Sequence, residues 1–389
     1  MLSFGIFKKG LMLIFAAIVA IFVSGMLAAL LGTILPDLSD RFRFTPTQNG
    51  TMALAQALGL VIASVSVGWL LDSEGEKLGL LLGFTLISIV LYALPRSPGF
   101  RSIVFLLFLL GVGGGAVLTG ANTLVSHISD AHRATTLNLV NLFFGLGGLA
   151  TPFISANLLK GNWVRLCYSI ATLTVASLIV EAITRMPSAT PGAAGHGIAD
   201  FGSASGRPLL FLLGLFLFLY MSCEAGVWNW LPRHLIAQGV PESRALNILS
   251  LGFALGLLIG RIGISPILIR VPAVTVALVA SIAMALTTFL MLHTNRPNLA
   301  SSLVFVAGLS MAPVFPTTVA IVGGAFPRMA GTAIGFVMTC GYAGLAVSSR
   351  LIGAIAGSDP LRLKRALLLI PGAALLMIGV NLAISSALR

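Results

Sequence analysis

One carboxylate stands out in the second half of this sequence, in the stretch Y-M-S-C-E-A-G-V-W-N-W-L-P, residues 220–232. Glu224 follows residues 208–221, a run without any charge. On a helix, Tyr220 and Trp228 lie four residues before and after it and share its face. A carboxylate accepts hydrogen bonds from hydroxyl groups, and an indole packs against the C–H face of a sugar ring. The spacing therefore predicts a site for a polyhydroxylated solute.

The depth of Glu224 in its helix bears on this interpretation. A carboxylate in the bilayer costs about 2.5 kcal/mol or more, so it normally faces the bundle interior or water and marks a pathway. It could also be a structural group tied to a polar neighbour. At 1.5 Å per residue from Pro208, Glu224 lies about 25 Å along the helix, past the bilayer midplane. Simple exposure to outer water is therefore a third interpretation.

The composition defines the surroundings of this carboxylate. Of 389 residues, 57% are hydrophobic and only 9% are charged, with a mean hydropathy of +1.04. Soluble domains usually carry about 25% charged residues. The segments lack the alternation of barrel strands, so an all-α integral membrane protein is predicted. The net charge of +12 comes from scattered basic residues without a basic stripe, so we expect contacts with the lipid bilayer and none with nucleic acid.

Twelve apolar segments are each long enough to cross a bilayer. The predicted spans are 11–36, 47–71, 78–95, 102–129, 135–159, 163–184, 208–233, 243–268, 272–293, 299–325, 329–355 and 363–387. Residues 186–207 are rich in Gly, Ala, Ser and Pro, which predicts a flexible cytoplasmic linker. It would separate an N-terminal six-helix bundle, residues 1–185, from a C-terminal one, residues 208–389.

The two halves share short motifs in the same order. The first span is expected to end at I-L-P, residues 34–36, and the seventh at W-L-P, residues 230–232. The fifth span contains F-G-L-G-G-L-A, residues 144–150, and the eleventh contains C-G-Y-A-G-L-A, residues 340–346. These matches predict two pseudo-symmetric halves. Such repeats are typical of transporters that bind substrate near the bilayer midplane.

The loop after the second span reads G-W-L-L-D-S-E-G-E-K-L-G-L, residues 68–80. This latch loop resembles the signature loop of the major facilitator superfamily, G-x-L-a-D-r-x-G-r-k. The matching residues are Gly68, Leu70, Asp72, Gly75 and Lys77. The family's basic residues after the aspartate and after the second glycine are replaced by Ser73 and Glu76. The resemblance implies the major facilitator fold, a cytoplasmic loop that acts as a conformational latch, and cytoplasmic termini.

The physical role of the latch loop follows from its aspartate. Asp72 can cap the next helix and pair with a cation across the interface between the halves, and Arg133 is a candidate for that cation. An ordinary acidic turn is the alternative. Arg261, beside Gly260, resembles the G-R pair that the family often has at the end of its eighth helix. That resemblance implies a role in the gate or latch.

Three further segments resemble one branch of the superfamily, the fucose–galactose–glucose/proton symporter-like sugar transporters. They are residues 120–147, residues 224–235 and G-L-S-M-A-P-V-F-P-T-T, residues 308–318. The resemblance implies sugar transport by alternating access. Proton-coupled fucose transporters carry carboxylates in helices 1 and 4, where this chain has Leu31 or Gly32, and Leu118. Glu224 is therefore the remaining candidate for coupling to H⁺ or Na⁺.

Other polar residues in apolar spans are candidates for binding hydroxyl groups. They are Gln56, Asn122, Asn138, Asn141 and Thr317. The alternative for each is a hydrogen bond between helices, worth about 0.6 kcal/mol on average. Glu181 lies four residues before Arg185, and a pair on the same helix explains it without a transport role.

Together these features predict a secondary active or facilitative transporter of a small polar solute, a monosaccharide above all. We expect a monomer in a bacterial inner membrane. No metal-ligand spacing and no nucleophile constellation occurs, so neither an enzyme nor a cofactor is expected, apart from a coupling ion. Two alternatives remain, namely efflux of lipophilic or cationic compounds and a non-transporting sensor or scaffold.

Overall fold

The computed structural model describes residues 2–44, 46–128, 132–186, 208–294, 296–356 and 360–388. Within these ranges, twelve helices are long and apolar enough to cross a membrane. The prediction of twelve spans is therefore confirmed. The predicted linker, apart from Met186, lies outside the described residues.

The first six spans are continuous helices, each apolar around most of its circumference. They are α1 (Leu2–Phe42), α2 (Pro46–Glu74), α3 (Glu76–Ala93), α4 (Phe100–Ile128), α5 (Arg133–Phe153) and α6 (Trp163–Ile183). The last residues of the fifth span, Ile154–Leu158, form a π-helical turn.

The second six spans contain more interruptions. They are α7 (Pro208–Ala237), α8 (Leu255–Leu268), α9 (Ala273–His293), α10 (Pro297–Met311 and Val314–Ala325), α11 (Ala330–Ala356) and α12 (Leu369–Ala387). A short helix, Glu242–Asn247, and a π-helical segment, Ile248–Ala254, precede α8. A further short helix, Pro360–Leu367, precedes α12.

Two predicted helix ends are wrong. The first helix continues through Pro36 to Phe42, and the seventh continues through Pro232 to Ala237. A proline removes one backbone donor, but helices in a membrane tolerate it because neighbouring groups satisfy the freed carbonyl. The shared Leu-Pro motif therefore lies inside both helices.

The chain divides into two compact units. Unit 1 comprises Met1–Arg133, Val140–Ser203 and Phe326–Thr339, and unit 2 comprises Ala134–Leu139, Ala204–Ala325 and Cys340–Arg389. The first turns of α5 thus belong to unit 2, and the first turns of α11 belong to unit 1. The division into bundles at residues 185 and 208 stays a prediction.

Glycines in unit 1 bring pairs of helices into backbone contact. Where α1 meets α5, a Cβ on Gly25 would clash with the carbonyl group of Phe144, and one on Gly147 would clash with that of Phe22. The contact is reciprocal. On each helix the glycine lies three residues after the phenylalanine whose carbonyl group meets the glycine of the other helix. The α2–α4 contact has the same reciprocal form around Gly59 and Gly111. Small residues permit this close approach, which supplies packing where lipid offers no hydrophobic drive.

Unit 2 repeats this arrangement. Where α8 meets α10, Gly256 faces the carbonyl group of Phe305 and Gly308 faces that of Phe253. The α2–α4 and α8–α10 pairs are the second and fourth helices of their halves. Their matching glycine spacing is the structural counterpart of the short repeats in the sequence.

Candidate substrate and latch sites

The predicted substrate face lies on α7 in unit 2. Tyr220 is fully buried, Glu224 is half-buried and Trp228 is 37% exposed. We call these three residues the α7 face. Its polar groups therefore run from the interior of the unit towards accessible space. Glu224 lies in the middle, where a carboxylate can be reached without being fully solvated.

A buried arginine completes this group. Arg261 of α8 is only 7% exposed and interacts electrostatically with Glu224 and Tyr220. The buried side chain of Tyr220 also interacts with the carboxylate of Glu224. A buried cation needs a nearby counter-charge. The structure thus brings Arg261, which the sequence placed with the latch, to the α7 face.

The sequence contained a signal for this placement. Arg261 stands inside an apolar span, where a cation costs about 2.5–3.5 kcal/mol and normally pairs with a carboxylate or with backbone carbonyls. Glu224 is the acid in the neighbouring helix that meets this requirement.

The indole of Trp228 is held by an aromatic contact. Its ring meets the ring of Phe253 edge-on, with 5.3 Å between centroids and 82° between planes. Phe253 is buried in the π-helical segment Ile248–Ala254. Such segments often occur at functional sites because the extra residue redirects the neighbouring side chains. Here the segment places a rigid ring against the partly exposed indole.

Thr317, the candidate on α10, also belongs to unit 2. It is fully buried, and its hydroxyl donates to the carbonyl oxygens of Pro313 and Val314, at 2.6 and 3.1 Å. These bonds lie within its own helix, next to the break between the two pieces of α10. A role in substrate binding stays a prediction.

The candidates of unit 1 bond to one another or to backbone. Asn141 Nδ2 donates to Asn122 Oδ1 at 2.9 Å, and Asn122 Nδ2 donates to the carbonyl oxygen of Leu118 at 2.8 Å. Both asparagines are buried. Gln56 Nε2 donates to the carbonyl oxygen of Leu27 at 3.5 Å and so links α2 to α1. The amide pair joins α4 to α5 and presents a polar group inside an apolar unit.

The carboxylate of the latch loop caps a helix, although not the one next to it. Asp72 Oδ1 accepts from the Gly331 amide at 2.8 Å, and Oδ2 accepts from the amide of Thr332 at 2.8 Å and from its hydroxyl. These residues begin α11. The N-terminus of α3 follows Gly75, whose φ is 87°, and has no side-chain cap. A carboxylate at a helix N-terminus satisfies unpaired amides and complements the helix dipole.

Small residues allow Asp72 to reach α11. A Cβ on Gly68 would lie 2.5 Å from the carbonyl oxygen of Gly331, and one on Gly335 would clash with the carbonyl group of Ser64. We call this contact of α2 with the start of α11 the α2–α11 crossing. It explains why the latch loop begins with a glycine at position 68.

The other predicted latch residue, Arg133, connects α5 to α4. Its Nε donates to the carbonyl oxygen of Ser126 at 2.7 Å. Beside it, the buried Glu76 pairs with His127, with 2.6 Å between Oε1 and Nδ1. Glu76, which replaces the basic residue of the family at this position, therefore has a partner in His127.

A second polar contact lies in unit 2 and involves Asn138, for which the sequence left a hydrogen bond between helices as the alternative to substrate binding. Asn138 Nδ2 donates to the carbonyl oxygen of Arg261 and to Ser265 Oγ, the latter at 2.9 Å. Thr135 Oγ1 donates to the carbonyl oxygen of Ser265 at 3.3 Å. We call this contact of the start of α5 with α8 the α5–α8 crossing. It joins the backbone of Arg261, whose side chain reaches the α7 face.

The twelve helices, their repeated glycine contacts and the latch loop define a membrane transporter of the major facilitator type. The family model of the Major Facilitator Superfamily matches residues 17–349, so the chain belongs to that family. The predictions of the fold and of an integral membrane protein are thereby confirmed.

Three known proteins show what this chain is similar to. A TsgA homolog of Erwinia tasmaniensis is 21% identical over 345 residues, which covers 86% of this chain and 85% of the relative. The glucose/mannose transporter GlcP of Bacillus subtilis is 24% identical over 349 residues, 85% of each chain. The crystal structure of FucP in the outward conformation matches with a TM-score of 0.86 at 16% identity, covering 97% of this chain and 99% of FucP.

Proposed function

We propose that this chain carries a monosaccharide or a related polyol across the bacterial inner membrane by alternating access. It would act as a monomer with both termini in the cytoplasm. The observation that carries the proposal is the α7 face together with Arg261. A carboxylate accepts hydrogen bonds, a guanidinium donates them, a phenol does both, and an indole covers a C–H surface. A sugar ring offers the complement of all four.

The names of the relatives support this substrate class. GlcP is a glucose/mannose transporter, and FucP of E. coli is a fucose:proton symporter. The charge of the site points the same way. Arg261 is buried and interacts with Glu224, so a lipophilic cation would have to compete with a guanidinium group for this carboxylate. The efflux alternative depends on an acid that is free to attract such a cation.

Glu224 has two possible roles in transport, and counterflow separates them. Counterflow measures exchange of labelled substrate without an ion gradient, whereas uphill uptake needs the gradient. Purified protein in proteoliposomes would be assayed with labelled glucose, mannose and fucose. The variants are Glu224→Gln and a control, Glu74→Gln, which neutralises an exposed acid at the end of α2.

Each outcome has a distinct meaning. If Glu224→Gln keeps counterflow and loses uphill uptake, Glu224 couples H⁺ or Na⁺ to transport. If it loses both while Glu74→Gln retains them, Glu224 binds the sugar. If it retains both, neither role is correct. If the wild-type protein exchanges none of the sugars, the monosaccharide proposal is wrong.

A thermal-shift screen tests the substrate class without a transport assay. A ligand that binds the folded state raises the apparent unfolding temperature by mass action. We expect stabilisation by at least one monosaccharide and none by lipophilic cations. The reverse pattern would support efflux instead.

A further inference from the structure

Unit 1 contains a further buried carboxylate that the sites described above do not include. Glu181 of α6 is fully buried, and neither of its oxygens has a hydrogen-bond partner in the described part of the chain. The predicted pair with Arg185 is wrong, since Arg185 is exposed while both carboxylate oxygens are buried and unpartnered. An isolated charge in such a place costs more than neutralising the group. The geometry therefore favours a carboxylic acid at this position.

Glu181 belongs to a polar line along one face of α6. The line consists of Thr174, Ser177, Glu181 and Thr184, spaced three or four residues apart and all buried. The Thr174 hydroxyl lies 2.8 Å from that of Ser88 on α3, so this face packs on α3. The hydroxyls of the line also donate to carbonyl oxygens of α6. Glu181 is thus the member of the line whose polar atoms lack partners.

A lysine lies at the end of this line. Lys77 Nζ donates to the carbonyl oxygens of Ala182 and Thr184, at 2.7 and 3.0 Å, and interacts electrostatically with Glu181. An ammonium group on a flexible four-carbon stem can change partners without moving its helix. Lys77 also belongs to the latch loop, two residues after Gly75, whose φ is 87°.

We propose that Glu181 is a proton-binding site of unit 1 whose charge, when the proton leaves, is taken up by Lys77. While the proton is bound, Lys77 caps the last turn of α6 through the carbonyl oxygens of Ala182 and Thr184. On deprotonation the O–H bond of Glu181 breaks and the proton passes to water beyond the end of α6. The ammonium group of Lys77 keeps its own protons and moves from the two carbonyl oxygens to the new carboxylate.

This exchange connects protonation to the latch. Asp72 lies in the last turn of α2 and Lys77 in the first turn of α3, with Gly75 between the two helices. When Lys77 leaves the carbonyl oxygens of Ala182 and Thr184, the start of α3 loses these two bonds to α6 next to the turn that carries Asp72. The inference does not depend on the identity of the substrate. It assigns the proton to a different residue and a different unit from Glu224.

We next consider which other charged groups could pair with Glu181 when its carboxyl group ionises. Glu76 of α3 is bonded to His127 of α4, and Arg185 of α6 is exposed. At the far end of α3 are Tyr92 and Arg96, and α1 contributes Lys8 and Lys9, whose side chains lie outside the described part. Among the described residues, Lys77 is the cation that already bonds to the backbone next to Glu181, at Ala182 and Thr184.

Infrared difference spectroscopy tests the proton site directly. Purified protein in liposomes would be titrated from acidic to alkaline pH while the carbonyl stretch of protonated carboxyl groups is recorded. We expect a band from a carboxylic acid in an apolar environment that disappears as the pH rises. The band should be missing in Glu181→Gln and unchanged in the control Glu74→Gln. If Glu181→Gln retains the band, the proposal is wrong.

The role of Lys77 is tested by two further variants, which also serve if Glu181→Gln does not fold. Lys77→Met removes the ammonium group, so deprotonation should need a pH at least about one unit higher, a tenfold change in proton affinity. Lys77→Arg keeps the charge and should titrate close to the wild type. A band in Lys77→Met that titrates like the wild type would overturn the exchange.

Discussion

The α2–α11 and α5–α8 crossings are counterparts in a duplicated chain, because each joins the second helix of one half to the fifth helix of the other. They are built differently. In unit 1, glycines bring the backbones of α2 and α11 together, and one carboxylate, Asp72, accepts three hydrogen bonds from the start of α11. In unit 2, neutral side chains of α5 bond to α8, chiefly through Asn138. One crossing thus depends on a charge and close packing, and the other on neutral hydrogen bonds.

The difference predicts unequal strength. Hydrogen bonds to charged groups contribute about 1.5–3 kcal/mol, whereas neutral ones contribute about 0.5–1.5 kcal/mol. The two crossings also differ in what they touch. Asn138 bonds to the backbone of Arg261, whose side chain interacts with Glu224. The α5–α8 crossing is therefore linked to the α7 face through Arg261.

The largest effect is expected from filling the glycine contact of the α2–α11 crossing. Gly68→Leu would push a side chain into the carbonyl group of Gly331, and overpacking of this kind costs about 3 kcal/mol. The apparent unfolding temperature of the purified protein should fall sharply. The control is Gly50→Leu in the same helix, where a Cβ meets nothing within 4 Å. Equal effects of the two variants would show that the contact with α11 is not the cause.

The next effect concerns the charge at this crossing. Asp72→Ala removes a helix cap and should cost about 2 kcal/mol of stability. Asp72→Asn keeps an acceptor but loses the charge, so its cost should lie between those of Asp72→Ala and the wild type. Thermal unfolding in the same detergent measures both. If Asp72→Asn is as stable as the wild type, the charge contributes nothing and only the glycine contacts distinguish the α2–α11 crossing.

The helices could be predicted from the sequence because span length and apolarity depend only on local composition. The contacts between helices could not. Asp72 was recognisable as a cap, but its partner begins α11, far along the chain, and the nearer α3 was the expected choice. The glycine pairs follow the same logic, since a single glycine shows that a close contact is possible without showing which carbonyl it meets.

The candidate site shows a similar division. Helical spacing alone placed Tyr220, Glu224 and Trp228 on one face. For Arg261 the family motif predicts a role in the gate or latch, whereas the cost of burying its charge predicts a nearby carboxylate such as Glu224. For Glu181 the spacing to Arg185 was favourable, yet spacing does not determine which way either side chain turns. Local sequence therefore does not predict which charged residues pair when they are far apart in the chain.

A smaller effect is expected at the α5–α8 crossing. Asn138→Leu removes two neutral hydrogen bonds and should cost about 1 kcal/mol, less than Asp72→Ala. Since Asn138 holds the backbone of Arg261, the variant should also weaken sugar binding, measured as a smaller thermal shift with saturating ligand. The control is Asn157→Leu, because Asn157 is exposed and bonds within its own turn. If the sugar stabilises Asn138→Leu as much as the wild type, the α5–α8 crossing does not affect sugar binding at the α7 face.

The smallest effect is expected from Ser265, which accepts from Asn138 and donates to the carbonyl oxygen of Arg261. Ser265→Ala leaves Asn138 with its bond to that carbonyl, so the loss should be about 0.5 kcal/mol. The double variant with Asn138→Leu should cost less than the sum of the two single changes, because both remove the same bond. Additive losses would mean that the two side chains act independently. A loss in Ser265→Ala as large as in Asp72→Ala would contradict the inequality between the crossings.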